Sequence, residues 1–243
     1  MDGLVLRFDA PLMSFGGVRV DQHNVTSRFP GLSLFAGLIA NALGLTHAGG
    51  DRINRLQARL LIASRWDIEP QTIVDYQTVD LGQPKMREKG WTTRGEPEHR
   101  EGGKAAKLGI HQRYRHYHAN GVLTSTLALS GSGWPGLDEI AQALRFPARP
   151  LFIGRKTCLP SQPILLGPVQ GENVLAMLRA VSPWKRADQK SGPAMPACWP
   201  AGLTDERPDQ IKSVYDCRDW VNQWHAGSRL VAEGLIREDQ PCT

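Results

Sequence analysis

The sequence at residues 33–44 is SLFAGLIANALG. Its larger apolar residues recur with the spacing of one helix face, namely Leu34, Phe35, Leu38, Ile39, Ala42 and Leu43. Ser33 can cap the start of this helix and Gly44 can close its end. The stretch therefore predicts a helix that packs against a core near the beginning of the chain.

Strands are predicted on both sides of this helix. Before it, residues 3–9 are a short apolar run that leads into the small-residue turn at 14–17. After it, residues 56–68 contain the apolar run Leu60–Ala63, and residues 73–79 alternate apolar and polar side chains. Residues 122–129 form a β-favouring run directly after an Asn120-Gly121 turn.

A second helix is predicted around Leu137, Ile140 and Leu144, and a closing strand at residues 151–153. The resulting order is β-α-β-β-α-β, so the sequence predicts an α+β protein with a ferredoxin-like domain over residues 1–160. Residues 161–243 are predicted as a small β-rich C-terminal region that packs on this domain. It holds an apolar run at 164–166, a helix at 172–181 and an irregular stretch at 183–208.

A basic insertion occupies residues 77–118. From residue 83 to 118 it has nine Lys and Arg residues and four Glu residues, a surplus equal to the net charge of +5 of the whole chain. Trp91, Tyr114 and Tyr117 lie among these charges. Cations that alternate with aromatic rings suit single-stranded nucleic acid, whose phosphates meet Lys and Arg while its bases stack. The alternative interpretation is a solvated surface loop.

Several function classes find no support in the sequence. The chain of 243 residues has no phosphate-binding loop, nucleophile elbow or metalloprotease helix. Its four cysteines never form a C-x-x-C pair, so free thiols are predicted. His116-x-His118 is a weak metal candidate, because no carboxylate or thiolate joins it at ligand spacing. The chain start has no signal-peptide pattern and its longest apolar stretch is too short to span a bilayer, so we expect a cytoplasmic protein.

Two turns are candidate contacts for an anion. Ser14-Phe15-Gly16-Gly17 can expose backbone N–H groups and allow close approach, since glycine has no Cβ. Arg28, and the pair Arg155 and Lys156 after the predicted closing strand, could meet an RNA backbone. The alternatives are an ordinary loop turn for the glycines and surface ion pairs for the cations.

The order of these short motifs resembles a known family. PLMSFGG at 11–17, RFP at 28–30, Ser33 and GLI at 37–39, the basic insertion, and LFIGRKTC at 151–158 follow one another as in the CasD family of type I-E CRISPR systems. This family is the Cas-five group of the RAMP superfamily. The resemblance covers about residues 1–170, and the remainder is only loosely similar.

The resemblance implies a non-catalytic subunit of Cascade, the RNA-guided antiviral surveillance complex. It implies a ferredoxin-like or RRM-like domain whose β-hairpin thumb corresponds to the basic insertion. Such a subunit binds the 5′ handle of crRNA at the foot of the assembly, next to the backbone subunit and the large PAM-reading subunit, and meets target DNA through the complex. No cofactor, metal or membrane is implied. The predicted RNA-binding residues are Ser14, Phe15, Gly16, Gly17, Arg28, Ser33, Lys85, Arg87, Lys89, Arg94, Lys104, Lys107, Arg113, Arg115, Arg155 and Lys156.

Two alternatives stay open from the sequence. The first is a metal-independent endoribonuclease that processes precursor crRNA, as related subunits of type I-C systems do. Its acid, base and cation could come from a group within the insertion, namely Lys107, His111, Tyr114, His116, Tyr117 and His118. The second is a generic RRM-type RNA binder, although no RNP-like aromatic strand motif is present.

Overall fold

The computed structural model describes residues 1–17, 21–80, 90–91, 97–98, 110–185, 194–204 and 207–237. The helices of these residues are α1 (Leu32–Ala42), α2 (Gly50–Arg59), α3 (Leu137–Arg145) and α4 (Val174–Ala180), with a 3-10 turn at His47–Gly49. The strands are β1 (Asp2–Asp9), β2 (Leu12–Met13), β3 (His23–Asn24), β4 (Leu60–Ile68), β5 (Gln71–Asp80), β6 (Gly90–Trp91), β7 (Pro97–Glu98), β8 (Ile110–Ala119), β9 (Val122–Leu129), β10 (Leu165–Gln170), β11 (Ala194–Pro200), β12 (Gln210–Asp219) and β13 (Trp224–Arg237). None of the described helices is both long and apolar enough to cross a membrane.

Seven strands form the main sheet in the order β10-β1-β9-β4-β11-β13-β12, and each neighbouring pair is antiparallel. The sheet buries side chains on both faces, because successive residues of a strand point to opposite sides. On one face, Ile62 of β4 belongs to a large core that α1, α2 and α3 cover. On the other face, Ala63 packs in a smaller core under α4. The protein is thus an α+β structure with a mostly antiparallel sheet.

A buried ion pair joins α4 to the centre of this sheet. Arg65 Nε donates to Asp67 Oδ1 at 2.7 Å, and both side chains are almost fully buried. The other guanidinium nitrogens of Arg65 donate to the carbonyl oxygens of Leu178 and Val181, each at 3.0 Å. These carbonyls lie at the end of α4, where the helix leaves acceptors without internal partners. The buried arginine therefore satisfies the helix end and fixes it on β4.

The predicted strand at 122–129 and the predicted helices near 33–44, 137–144 and 172–181 are confirmed. The predicted closing strand at residues 151–153 is wrong. Ile153 instead donates to Cys158 O within its own turn at 2.8 Å and accepts from the distant Ser14 N at 3.3 Å. The strand that pairs with β1 is β10. Helix α2 was not predicted, and β11 lies in the stretch 183–208 that was predicted to be irregular.

Ser33 does not cap α1, contrary to the sequence-based expectation. The helix begins at Leu32, its N-cap is Gly31, and no side chain of the cap residue bonds to the helix. The N–H of Leu32, at the start of the helix, donates instead to Asp216 Oδ2 at 2.9 Å. Arg229 holds this carboxylate with Nε and Nη2 at 3.0 and 2.8 Å. A Cβ on Gly31 would lie 2.6 Å from the Asp216 Cβ, so glycine lets the capping carboxylate approach.

Candidate nucleic-acid interface

A separate ladder stands beside the main sheet. Strands β5 and β8 pair antiparallel over ten residue pairs, from Gln71 opposite Ala119 to Asp80 opposite Ile110. Strand β3 adds to β8 in parallel, and β2 pairs with the C-terminal end of β8. We call the paired β5 and β8 strands the ribbon. Its N-terminal arm leads into residues 81–89 and its C-terminal arm follows residues 99–109.

One face of the ribbon carries a stack of three rings, the aromatic row. Tyr76 lies directly opposite Tyr114, with ring centroids 4.9 Å apart. The imidazole of His23 stacks on the other side of Tyr114, at 4.7 Å and 9° between planes. Cross-strand stacking stabilises a ribbon, but the Tyr76 side chain stays 51% exposed. An exposed ring at the end of a stack can receive a nucleic-acid base.

The cations of the ribbon lie on its other face. Arg113 and Arg115 alternate with Tyr114 along β8 and therefore point away from the aromatic row. Their opposite residues on β5 are Gln77 and Asp75. Six further predicted RNA-binding cations lie outside the described residues, namely Lys85, Arg87, Lys89, Arg94, Lys104 and Lys107.

The predicted turn at 14–17 divides into an anchor and an exposed part. Phe15 is buried and stacks on Trp66 with centroids 5.7 Å apart. Its N–H already donates to Thr26 Oγ1 at 2.9 Å. Ser14 is buried as well. Gly16 and Gly17 are exposed and have φ values of +79° and +155°, a region in which glycine is favoured. The two glycines, rather than Ser14 or Phe15, can therefore meet a ligand.

The predicted turn at 154–156 touches the first turn. Gly154 has φ +86°, and a Cβ at this residue would lie 1.6 Å from the carbonyl oxygen of Ser14. Arg155 donates to His116 O at 3.2 Å and to Asn24 O at 3.0 Å, and its guanidinium lies 4.6 Å from the Tyr117 ring centre. This cation therefore connects β3, β8 and the turn, whereas Lys156 beside it is exposed.

Arg28 borders the same region. Its Nη2 lies 3.2 Å from Glu69 Oε1, and both side chains are more than half exposed. An ion pair as exposed as this contributes little to stability, so a phosphate can compete for the guanidinium. We call residues 14–17, 23–28 and 153–156 the turn cluster. Ser33, the remaining predicted contact, lies in the first turn of α1 and is half-buried.

Sequence reasoning did not single out Trp66 as part of this region. Its indole N–H donates to the carbonyl of Arg28 at 3.1 Å, and its ring lies 5.4 Å from that of His118. His118 is buried, with Nε2 2.9 Å from Ser27 O and no partner at Nδ1 among the described residues. Burial lowers the pKa of His118, with the Ser27 hydrogen bond acting in the opposite direction. Trp66 and His118 thus form the floor under the turn cluster.

Comparisons with known proteins match this chain to one family. A family model described as CRISPR-associated protein (Cas_Cas5) matches residues 3–232. The CRISPR system Cascade subunit CasD of Escherichia coli (strain K12) is 25% identical over 170 residues, which are 70% of this chain and 72% of that protein. A chain of a solved CRISPR RNA-guided surveillance complex superposes with a TM-score of 0.71 at 22% identity, over 97% of this chain and 90% of its own. The crystal structure of a Cas protein gives a TM-score of 0.65 at 22% identity, over 98% of this chain and 96% of that one.

Proposed function

This chain belongs to the Cas5 family of CRISPR-associated proteins, and we propose that it is a non-catalytic, crRNA-binding subunit of a Cascade-type surveillance complex. In this role it binds the 5′ handle of crRNA and closes the foot of the assembly. The observation that carries the proposal is the family match over residues 3–232. The E. coli relative is itself named a Cascade subunit.

The arrangement of strands supports a ferredoxin-like domain with a thumb. Strands β1, β4, β9 and β10 are neighbours in the sheet, with α1 and α2 between the first two along the chain and α3 between the last two. The ribbon leaves this domain between β4 and β9, where the resemblance places the thumb. The sequence-based boundary at residue 160 would exclude β10, so we propose that the first domain extends to about residue 170, with the rest of 161–243 packed on it. Strands β11, β13 and β12 support that packing because they extend the sheet beyond β4.

The RNA contacts divide into two kinds in this proposal. The aromatic row receives bases, and exposed groups of the turn cluster meet phosphates, namely Gly16, Gly17, Arg28 and Lys156. Ser14, Phe15 and Arg155 position the turn cluster. The backbone N–H groups of Ser14 and Phe15 and the guanidinium of Arg155 already donate hydrogen bonds within the protein. Arg113, Arg115 and the cations of residues 81–109 add phosphate contacts along the thumb.

Two of the side chains that the endoribonuclease alternative would use are inaccessible. The endoribonuclease alternative needs an acid and a base within reach of an RNA 2′-OH. His118 and Tyr117 are both buried, so neither can reach a bound strand without opening the floor of the turn cluster.

We propose that the backbone subunit and the large PAM-reading subunit cover the remaining surfaces and bring target DNA to the complex.

The test compares two charge-reversed pairs in the reconstituted complex. Arg28→Glu with Lys156→Glu changes two exposed cations of the turn cluster, and Arg207→Glu with Arg237→Glu changes two exposed cations outside it. We expect the first pair to release the crRNA 5′ end, measured by nuclease protection, and the second pair to leave it protected. Equal protection in both would reject the handle contact. Specific cleavage of repeat RNA by the pure protein, lost in His116→Ala, would reject the non-catalytic role.

A further inference from the structure

A cleft opens between α2 and the loop that joins β9 to α3. Its volume is about 470 Å³, which lies within the range of small-ligand pockets. We call it the α2 cleft, and its lining residues are Arg52, Arg55, Ala58, Arg59, Ser132, Gly133 and Trp134. Neither the sequence motifs nor the family resemblance draws attention to these residues.

The charged residues that line the α2 cleft are all cations. Arg52, Arg55 and Arg59 are three and four residues apart and therefore share one face of α2. No carboxylate lines the cleft. Arg52 and Arg55 are exposed, and neither forms an ion pair or hydrogen bond with any residue that the structure describes. Like charges at this spacing destabilise a helix, so an anionic ligand would relieve a repulsion that already exists.

The loop between β9 and α3 forms the opposite wall of the cleft, is bonded to Arg59 and carries Trp134. Arg59 donates to three backbone carbonyls of the loop, those of Ser130 at 3.2 Å, Pro135 at 3.0 Å and Gly131 at 3.4 Å. This arginine holds the loop against α2. Trp134 in that loop stays 46% exposed, and the Arg52 guanidinium lies 5.2 Å from its ring centre. The cleft thus combines exposed cations with an exposed aromatic ring, on a loop that Arg59 ties to α2.

We propose that the α2 cleft binds a nucleotide of a single-stranded polynucleotide, with its phosphate between Arg52 and Arg55 and its base against Trp134. Planar guanidinium groups bind phosphate oxygens through paired donors, and an exposed indole stacks on any base. An acidic peptide would use the cations but not the ring. The polynucleotide therefore accounts for more of the cleft than a peptide does.

This site is separate from the proposed handle contact. Arg59 directly precedes β4, whereas Trp66 beneath the turn cluster lies near the other end of that strand. At a rise of about 3.3 Å per residue, the two sites are roughly 20 Å apart along β4. The strand in the cleft is either a remote part of the guide RNA or a DNA strand, and both offer the same phosphate and base.

The test uses the full-length chain, carried on a solubility partner, with short labelled oligouridylate and oligothymidylate measured by fluorescence anisotropy over a range of salt. Arg52→Gln with Arg55→Gln removes both cations from that one phosphate, so the slope of log affinity against log salt should fall by about 0.7. Trp134→Ala should weaken binding about 5- to 150-fold at fixed salt, and Trp134→Phe should retain most of the affinity. Arg207→Gln with Arg237→Gln is the control for net charge.

Three outcomes would overturn the proposal. The first is a control pair that weakens binding as much as the cleft pair. The second is a polyglutamate peptide that binds the cleft more tightly than either oligonucleotide, which would identify an acidic protein partner. The third is an unchanged affinity in all cleft variants. Repeating the series in a Tyr76→Ala background separates this site from the handle contact, because losses at two independent sites add. Photo-crosslinking of Trp134 in the assembled complex, with label in the RNA or in the DNA, then identifies the strand.

Discussion

Gly154 is the residue at which the contact between the two turns leaves no room for a side chain. We expect Gly154→Ala to lower the free energy of unfolding by about 3 kcal/mol or more, since a Cβ 1.6 Å from the Ser14 carbonyl adds overpacking to the cost of a positive φ. Gly202→Ala is the matched control, because Gly202 has a similar φ of +83° but no atom near its Cβ position. Chemical denaturation of both variants measures the difference, and equal losses would show that the turns can move apart.

His118 makes stability depend on pH in a defined direction. Burial lowers the pKa of the folded imidazole below its ordinary value, so the unfolded chain binds the proton more readily. Stability should therefore fall as the pH drops below about 6.5, where the unfolded histidine becomes charged. His118→Gln should flatten this part of the profile, measured from urea midpoints between pH 7 and pH 5. An unchanged slope would assign the dependence to other groups.

Among the structural elements, the ribbon carries the prediction that bears most directly on RNA. We expect Tyr76→Ala to weaken RNA binding by about 1–3 kcal/mol, the usual contribution of one stacked base, with little loss of folding. Tyr215→Ala is the control, because Tyr215 is also an exposed tyrosine of a strand but lies on β12, outside the aromatic row. The measurement is the affinity for handle RNA together with a melting temperature. Equal affinities would restrict the row to stabilising the ribbon.

The elements also show which parts of the fold can be predicted from sequence. Strand β9 is found where its pattern predicts it, because a run of eight residues that includes Val and Thr follows a local turn signal. Helix α2 was missed because Arg52, Arg55 and Arg59 dilute the apolar spacing of Ile53 and Leu56. Strand β11 contains prolines at 196 and 200, which disfavour a strand, and it pairs with β4 at only two positions. For α2 and β11, tertiary packing overrides the local signal.

At the scale of the whole molecule, the outer edge of the sheet exposes apolar side chains. Leu230 of β13 lies opposite Ser213 of β12, and Ile211 is two residues from Ser213, so both apolar residues share one face. Both are exposed, and β12 is an edge strand without a further neighbour among the described residues. We expect the isolated chain to aggregate and Ile211→Lys with Leu230→Lys to reduce this, measured by light scattering. A monodisperse wild-type chain would contradict the prediction.

Only part of the candidate site could be predicted from the sequence, because some of its contacts are local and others are long-range. The glycine turn, Arg28 and Lys156 are local features, and the structure brings them together. Phe15 and Arg155 were predicted to contact RNA, but the structure engages each with residues far along the chain, Trp66 for the first and Asn24 and His116 for the second. Long-range partners of this kind have no local sequence signal. The aromatic row could have been suspected only from the register that pairs Tyr76 with Tyr114.

The carboxylate that caps α1 also sets a condition on how this protein is made. The N–H of Leu32 has its acceptor on Asp216, 184 residues later in the chain. Strand β4 likewise gains one of its neighbours only when β11 has been made. A nascent chain therefore carries an uncapped first helix and an incomplete sheet at least until residue 216 has left the ribosome. Products truncated before Asp216 would leave α1 uncapped and the sheet incomplete, which makes them substrates for quality-control proteases.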